Sequence, residues 1–284
     1  MLELPTRQPL PETRCASTTW EATEIALHAP TQNHILAKLP KPEYERLLPG
    51  LEPVPLPMGS TVHGAGDREE CLYFLTAGIV ARFYVTESGA SAAFAITGSE
   101  GVIGVASFLG GGSTPSQAVV LCPGYSYRLR TDLWRQEIER VGRLPHLLLR
   151  YTQALMAQTG QTAVCNRHHS LEQQFCRWIL SCLDRLPSNE LMMTQELIAD
   201  MLGVRRESVT EAAGRLQKRG LIHCSRGHIA VLDRHRLVAH ACECYAVVKQ
   251  EYDRLLLPDN IDRHAGVRDT CFRFRTEWQR ARPP

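Results

Sequence analysis

The chain has 284 residues, which suggests two domains at about 150 residues each, and 44% of its residues are hydrophobic, ample for packed cores. A formal net charge of +2 leaves the whole close to neutral, so any surface for nucleic acid must be local. No apolar run approaches the roughly 18 residues of a membrane helix. The opening MLELPTRQPLPETR also lacks the apolar stretch of a secretory signal, so the ten scattered cysteines read as reduced thiols of a cytoplasmic protein without membrane contact.

In chain order, residues 1–30 form a loose arm rich in Pro, Thr and Glu, with Pro5, Pro9, Pro11 and Pro30. Ile35, Leu36, Leu39, Leu47 and Leu48 then predict short helices, broken near Pro40 and Pro42. From 51 to 130, short β-rich pieces alternate with turn signals: LEPVPL, MGST, CLYFLTAGIVARFYV, AAFAI, AVVL and YSYRL. Such spacing predicts an antiparallel barrel or sandwich. Within CLYFLTAGIVARFYV, the segment Thr76 to Gly78 is expected to turn.

Helical patterning starts at Thr131, where Thr131 or Asp132 can cap LWRQEIERV. Pro145 sits near the start of a longer helix, where proline is tolerated. Leu148, Tyr151, Leu155, Gln158, Thr162 and Cys165 recur every three and four residues, a heptad-like seam that predicts a partner helix. Packing on the chain's own β domain is the alternative. His168 to Leu186 predicts a further amphipathic helix burying Leu171, Phe175, Trp178, Ile179 and Leu183, with a hinge at 165–168.

The segment 193–232 predicts two short helices, a tight turn and a hairpin. Thr194 can cap the first helix through its side-chain oxygen. Leu197, Ile198, Met201 and Leu202 share one face, and Gly203 suits a left-handed stop. The second helix, from about Arg206 to Arg219, buries Val209, Ala212, Ala213 and Leu216. Its other face carries Arg205, Arg206, Glu207, Ser208, Thr210, Glu211, Arg215 and Lys218. Two helices joined by a glycine turn form a helix-turn-helix, whose second helix enters the major groove of double-stranded DNA. Arginine suits that groove because its planar fork reaches guanine O6 and N7 together or clamps a phosphate. Leu221 to Ser225 and His228 to Leu232, joined through Arg226-Gly227, form a wing beside the DNA backbone. His235 to Leu257 predicts a last helix with Val238, Tyr245, Val248, Tyr252 and Leu255 inward, before an arginine-rich tail.

TQELIADMLGVRRESVTEAAGRLQKRGLI followed by RGHIAVLD resembles the winged helix-turn-helix of the Crp/Fnr transcription regulators. Arg206, Glu207, Ser208 and Val209 match the family run that opens the recognition helix. The resemblance implies that Arg206 and Glu207 touch base edges and Ser208 a phosphate. Thr194, Gln195, Arg205, Thr210, Glu211, Arg215, Lys218 and Arg226 complete the expected DNA-facing set. Glu211 stands where well-known members carry arginine, so the half-site sequence does not transfer. Tyr73-Phe74-Leu75, Gly78 and Ile79-Val80 resemble the family's β-roll sensor.

The implied fold is α+β: an antiparallel β-roll of the cyclic-nucleotide-binding type at 31–131, a dimerisation helix region at 132–165 and a winged helix-turn-helix at 166–236. A C-terminal helix and basic tail occupy 237–284. The implied partners are a second copy, a palindromic operator and RNA polymerase. The expected dimer interface is Leu148, Tyr151, Leu155, Gln158 and Thr162.

Cyclic-nucleotide-binding relatives hold the ribose with a glutamate and the cyclic phosphate with an arginine. The matching run here is Gly101-Val102-Ile103-Gly104, then Ser116-Gln117-Ala118. Gly101, Val102, Gly104, Ser116 and Gln117 thus outline the expected effector pocket. Val102 replaces the glutamate and Ser116 the arginine. A buried cyclic phosphate without a cation is poorly compensated, so tight cAMP or cGMP binding by the usual mode is not expected. The arm has Cys15 but no group of closely spaced thiolates for an iron–sulfur cluster. His240, Cys242 and Cys244 do not share a helical face, so no metal site is expected there. A single axial haem ligand among eleven histidines leaves no motif and stays open. No nucleophile motif, P-loop or paired acid–base set points to an enzyme. The alternative is a small-molecule or redox sensor that signals through protein contacts, with weakened DNA binding.

Overall fold

The computed structural model describes residues 28–256, apart from 141 and 226. The arm through residue 27, the wing residue Arg226 and the arginine-rich tail lie outside the described residues. The fold is α+β, with an antiparallel β-roll, a long helix and a winged helix-turn-helix in that order.

The roll opens with helix α1 (Lys41–Leu47) and strands β1 (Glu52–Leu56) and β2 (Thr61–His63). It continues with β3 (Cys71–Val85), β4 (Ser91–Thr97), β5 (Val102–Ile103), helix α2 (Val105–Leu109) and β6 (Gln117–Arg130). The strand order is β1-β6-β3-β4, with β2 on β6 and β5 on β3. Alternate side chains fill its inside, among them Leu56, Leu75, Val80, Ile103, Ala118 and Val120.

The expected turn at 76–78 is not a turn. β3 runs unbroken for 15 residues, and AVVL and YSYRL likewise join into the single strand β6. Gly78, at φ 85°, sits in a stretch of register shifts between the two strands. A Cβ there would stand 2.6 Å from the Cys122 carbonyl oxygen, and one on Gly124 would stand 2.2 Å from that of Ala77. The glycines therefore let two long strands bend while staying paired, as a bulge does.

Helix α3 (Thr131–Glu139) leads to α4 (Arg143–His168), 26 residues long. α4 runs through the expected hinge at 165–168 and is capped by His169. Ser170 then caps α5 (Leu171–Leu183) in a reciprocal capping box with Gln173. Strand β7 (Glu190–Met192), too short to show a pattern in sequence, adds to the wing to give the order β7-β9-β8.

Helices α6 (Gln195–Leu202) and α7 (Arg206–Lys218) and strands β8 (Ile222–Ser225) and β9 (His228–Val231) follow. Thr194 accepts from the Leu197 N–H, and Gly203 takes φ 66° after the last turn of α6. The expected single C-terminal helix is two: α8 (Arg234–His240) and α9 (Cys244–Leu256). Val238, expected inward, is exposed because it belongs to the short α8, while Tyr245, Val248, Tyr252 and Leu255 are buried.

α9 runs antiparallel along α4, with Gln153 near Glu251 and Gln161 near Cys244. One apolar cluster joins Ile35, Leu36 and Leu39, the roll, α4 and α9. A second joins β3 and β4 to the DNA-binding domain. A clasp also crosses between them: Arg185 Nε lies 2.7 Å from Glu100 Oε1, and its guanidinium carbon lies 5.4 Å from the centre of the Tyr252 ring.

Candidate DNA-reading face and sensor pocket

Packing splits α7 into two faces. Val209, Ala212, Ala213 and Leu216 are buried, whereas Arg205, Arg206, Glu207, Thr210, Glu211, Arg215 and Lys218 are exposed and Ser208 is half-buried. The Thr210 hydroxyl donates to Gln195 Oε1 at 2.7 Å, which ties the start of α6 to the middle of α7. Among the described residues, no ion pair engages Arg205, Arg206 or Lys218, so these cations remain available to an external anion. Arg215 differs. Its Nε lies 2.9 Å from Glu172 Oε2, and Arg219 also pairs with Glu172. Glu211 stands 3.8 Å from Arg215 on the same face.

The expected effector residues do not form an open pocket. Val102 and Ile103 are fully buried in β5, and Ser116 is 2% exposed. A Cβ on Gly101 would meet the Tyr151 ring, and one on Gly104 would stand 2.4 Å from the Cys71 carbonyl oxygen. Arg82, from inside β3, donates to the Val102 carbonyl at 2.8 Å and to Thr97 at 2.8 Å. The Ser116 hydroxyl pairs with Thr114 at 3.0 Å, with no cation beside it among the described contacts.

The acidic group of this region is one that sequence reading did not single out. Glu69 Oε2 accepts from the Ala106 N–H at 2.7 Å, in the first turn of α2. Its other oxygen lies 3.4 Å from His63 Nε2. Burial lowers the His63 pKa, while Glu69 and the Gly64 carbonyl pull it the other way. A neighbouring cleft of about 570 Å³ is lined by Arg68, Arg128, Arg130 and Arg135. Two of these cations are already paired, Arg128 with Glu52 and Arg130 with Asp132.

The expected dimer seam is also corrected. Leu148, Tyr151, Leu155, Gln158 and Thr162 are all 8% exposed or less, as is Cys165. They pack on the roll and α9 of their own chain: Tyr252 donates to Gln158 Oε1, and the Tyr151 hydroxyl bonds Thr97. The outward face of α4 carries a second stripe at the same spacing, with Leu149, Met156 and Val164 at 57%, 69% and 48% exposure.

The cysteines divide into two groups. Burial pushes the Cys122 thiol up to about 11 and that of Cys176 to about 12, so both are inert core residues. On a continuous helix Cys242 and Cys244 would not share a face. The helix breaks there instead, and Cys165, His169, Cys242 and Cys244 bring their ligand atoms within 4.8 Å of one another. His240, close to them in sequence, is outside this group and faces the Arg236 carbonyl. Half of the cluster comes from a remote segment, with Cys165 lying 77 residues before Cys242, and no local spacing shows that.

No helix among the described residues is long and apolar enough to cross a membrane. Residues 53–141 match the cyclic nucleotide-binding domain and 173–240 the Crp-like helix-turn-helix domain. A "CRP-like cAMP-activated global transcriptional regulator" of Mycobacterium tuberculosis is 24% identical over 198 residues, 67% of this chain and 88% of that protein. The fold is shared with FixK2 of Bradyrhizobium japonicum, at 16% identity and TM-score 0.60 over 68% of this chain and 98% of that one. A putative Crp/Fnr regulator of Eubacterium rectale covers 75% of this chain and 98% of its own, at 19% identity and TM-score 0.56. With a cyclic nucleotide-binding domain followed by a Crp-like helix-turn-helix domain, the chain belongs to the Crp/Fnr family of transcription regulators.

Proposed function

We propose that the protein is a homodimeric, sequence-specific DNA-binding regulator, acting in the cytoplasm, whose sensor has diverged from cyclic-nucleotide recognition. The observation that carries this reading is the division of α7 into a buried apolar stripe and an exposed face bearing Arg205, Arg206 and Lys218. Arg206 and Glu207 read base edges, Ser208 and Lys218 meet phosphates, and Thr194 and Gln195 support the start of the helix. Arg215 serves chiefly to hold Glu172.

Two copies meet through the outward stripe of α4: Leu149, Gln153, Met156, Gly160, Ala163 and Val164. The first five are spaced four, three, four and three residues apart, the repeat of a two-helix seam. The two recognition helices then fall about one helical turn of DNA apart, ~34 Å. Selection from randomised DNA with the full chain should enrich an inverted repeat, and a pool with no enriched repeat overturns the reading.

The Mycobacterium tuberculosis relative is named as cAMP-activated. In this chain the Glu69 carboxylate already accepts from the Ala106 N–H in the first turn of α2. A second anion there would face a like charge, and Arg128 of the neighbouring cleft is already committed to Glu52. Calorimetry with cAMP should therefore register no binding at micromolar concentration, and saturable micromolar binding overturns the diverged-sensor part alone.

The alternative, a sensor that signals through protein contacts with weakened DNA binding, draws its support from Glu211. That carboxylate projects from the DNA-facing side of α7 and would repel phosphate. The same DNA selection separates the two readings.

A further inference from the structure

We propose that Cys165, His169, Cys242 and Cys244 form a tetrahedral site for one zinc ion, clamping the end of the long helix to the start of α9.

Four ligand-type groups converge here from two remote segments. Cys165 lies in the last turn of α4, and His169 caps that helix with its N–H on the Cys165 carbonyl, which brings the two side chains to the same end. Cys242 and Cys244 flank Glu243 where the chain leaves α8 and enters α9. The Cys165 and Cys242 sulfurs are 3.5 Å apart, and Cys244 Sγ lies 3.4 Å from His169 Nδ1. All four ligand atoms lie within 4.8 Å of one another. Zinc–sulfur bonds of about 2.3 Å in a tetrahedron place ligands about 3.8 Å apart, so the cluster needs little adjustment to close around one ion. A disulfide would need its sulfurs at about 2.0 Å. An iron–sulfur cluster would need its thiolates spread around several atoms.

The donor set selects the metal. Three thiolates and an imidazole suit zinc, whereas magnesium and calcium take oxygen ligands. The groups behind the ligands complete the pattern. His169 Nε2 faces Glu243 Oε1 at 3.2 Å, which leaves Nδ1 for the ion and fixes the ring through a carboxylate. Gln161 Nε2 donates to Cys244 Sγ at 3.1 Å. Three thiolates around a divalent ion leave one negative charge. The buried Arg177, which donates to Thr162 one turn before Cys165, supplies the compensating positive charge. Among the described residues its Nε has no hydrogen-bond partner.

The position gives the site a structural consequence. His169 is the last residue before the Ser170 cap of the DNA-binding domain, and α9 lies along α4. The ion therefore pins the junction at which the two domains of the protein meet, and its loss frees the start of α9.

The test uses the full chain, purified under reducing conditions without chelator or metal-affinity resin. Elemental analysis should find one zinc per chain. Cobalt(II) titrated into the stripped protein should saturate at one equivalent, with the thiolate charge-transfer and visible bands of a tetrahedral site. Cys244→Ser and His169→Ala should each weaken cobalt binding about tenfold or more, and Glu243→Gln by about 10–100-fold. Cys224→Ser, at a thiol outside the cluster, should leave binding unchanged. The proposal is overturned if one equivalent of cobalt gives no thiolate band, if Cys165→Ser and Cys244→Ser bind as the parent does, or if the fresh protein carries a Cys165–Cys242 disulfide.

Discussion

The ring of Tyr151 lies against the α-carbon of Gly101, so close that a Cβ on that glycine would stand 2.2 Å from Cε2. Tyr151 belongs to the long helix and Gly101 to the segment expected from the sequence to outline the effector pocket. The Tyr151 hydroxyl bonds Thr97 at 2.8 Å, and Thr97 in turn accepts from Arg82, which also holds the Val102 carbonyl. A change in the β5 segment is therefore felt directly by α4. Gly101→Ala should overpack this contact and cost about 1–3 kcal/mol, read as a lower urea midpoint with an unchanged slope.

The clasp between Glu100 and Arg185 should behave as a buried pair. Their side chains are only 14% and 9% exposed, so neither charge is well solvated alone. Glu100→Leu should leave a buried cation and cost about 3–5 kcal/mol. The double variant Glu100→Leu with Arg185→Met should recover much of that loss. A double-mutant cycle on thermal unfolding measures the difference, and simple additivity would count against the pair.

The two stripes of α4 should respond to mutation in different ways. Met156→Glu and Leu149→Glu should dissociate the proposed dimer while each protomer keeps its melting behaviour. Leu148→Ala should instead cost about 2–5 kcal/mol of stability through a core cavity. Light scattering and circular dichroism on the same samples separate these outcomes.

On α7, Arg206→Ala should cost about 1–3 kcal/mol of DNA affinity and relax base preference at one position. Lys218→Ala should weaken all sequences alike and reduce the salt dependence. Arg215→Ala should have the smaller effect on affinity, because its guanidinium is held by Glu172. Binding curves at several salt concentrations on matched and mismatched sites would distinguish the three.

Local patterns were legible in the sequence. The capped, glycine-stopped α6 and the stripe of α7 lie within one or two residues of where Thr194, Gly203 and Val209 place them. Each signal acts within a few residues: a hydroxyl on an N–H, a glycine at positive φ, an apolar residue every third or fourth place. The bend at Gly78 is not legible in the sequence because a positive-φ glycine serves a turn or a bulge equally. What decides is the partner strand, where Gly124 gives way opposite Ala77.

By itself, then, the sequence determined the order of β-roll, long helix and winged helix-turn-helix, and which face of α7 is polar. Tertiary structure alone decided which of two equally spaced stripes on α4 is buried. The stripe with Leu148, Tyr151 and Leu155 offers more apolar area and is claimed by the protomer's own core, which leaves Leu149 and Met156 outside. It also decided that Cys242 and Cys244 meet Cys165 and His169. Periodicity describes one element at a time, and neither choice exists until a second element packs against it.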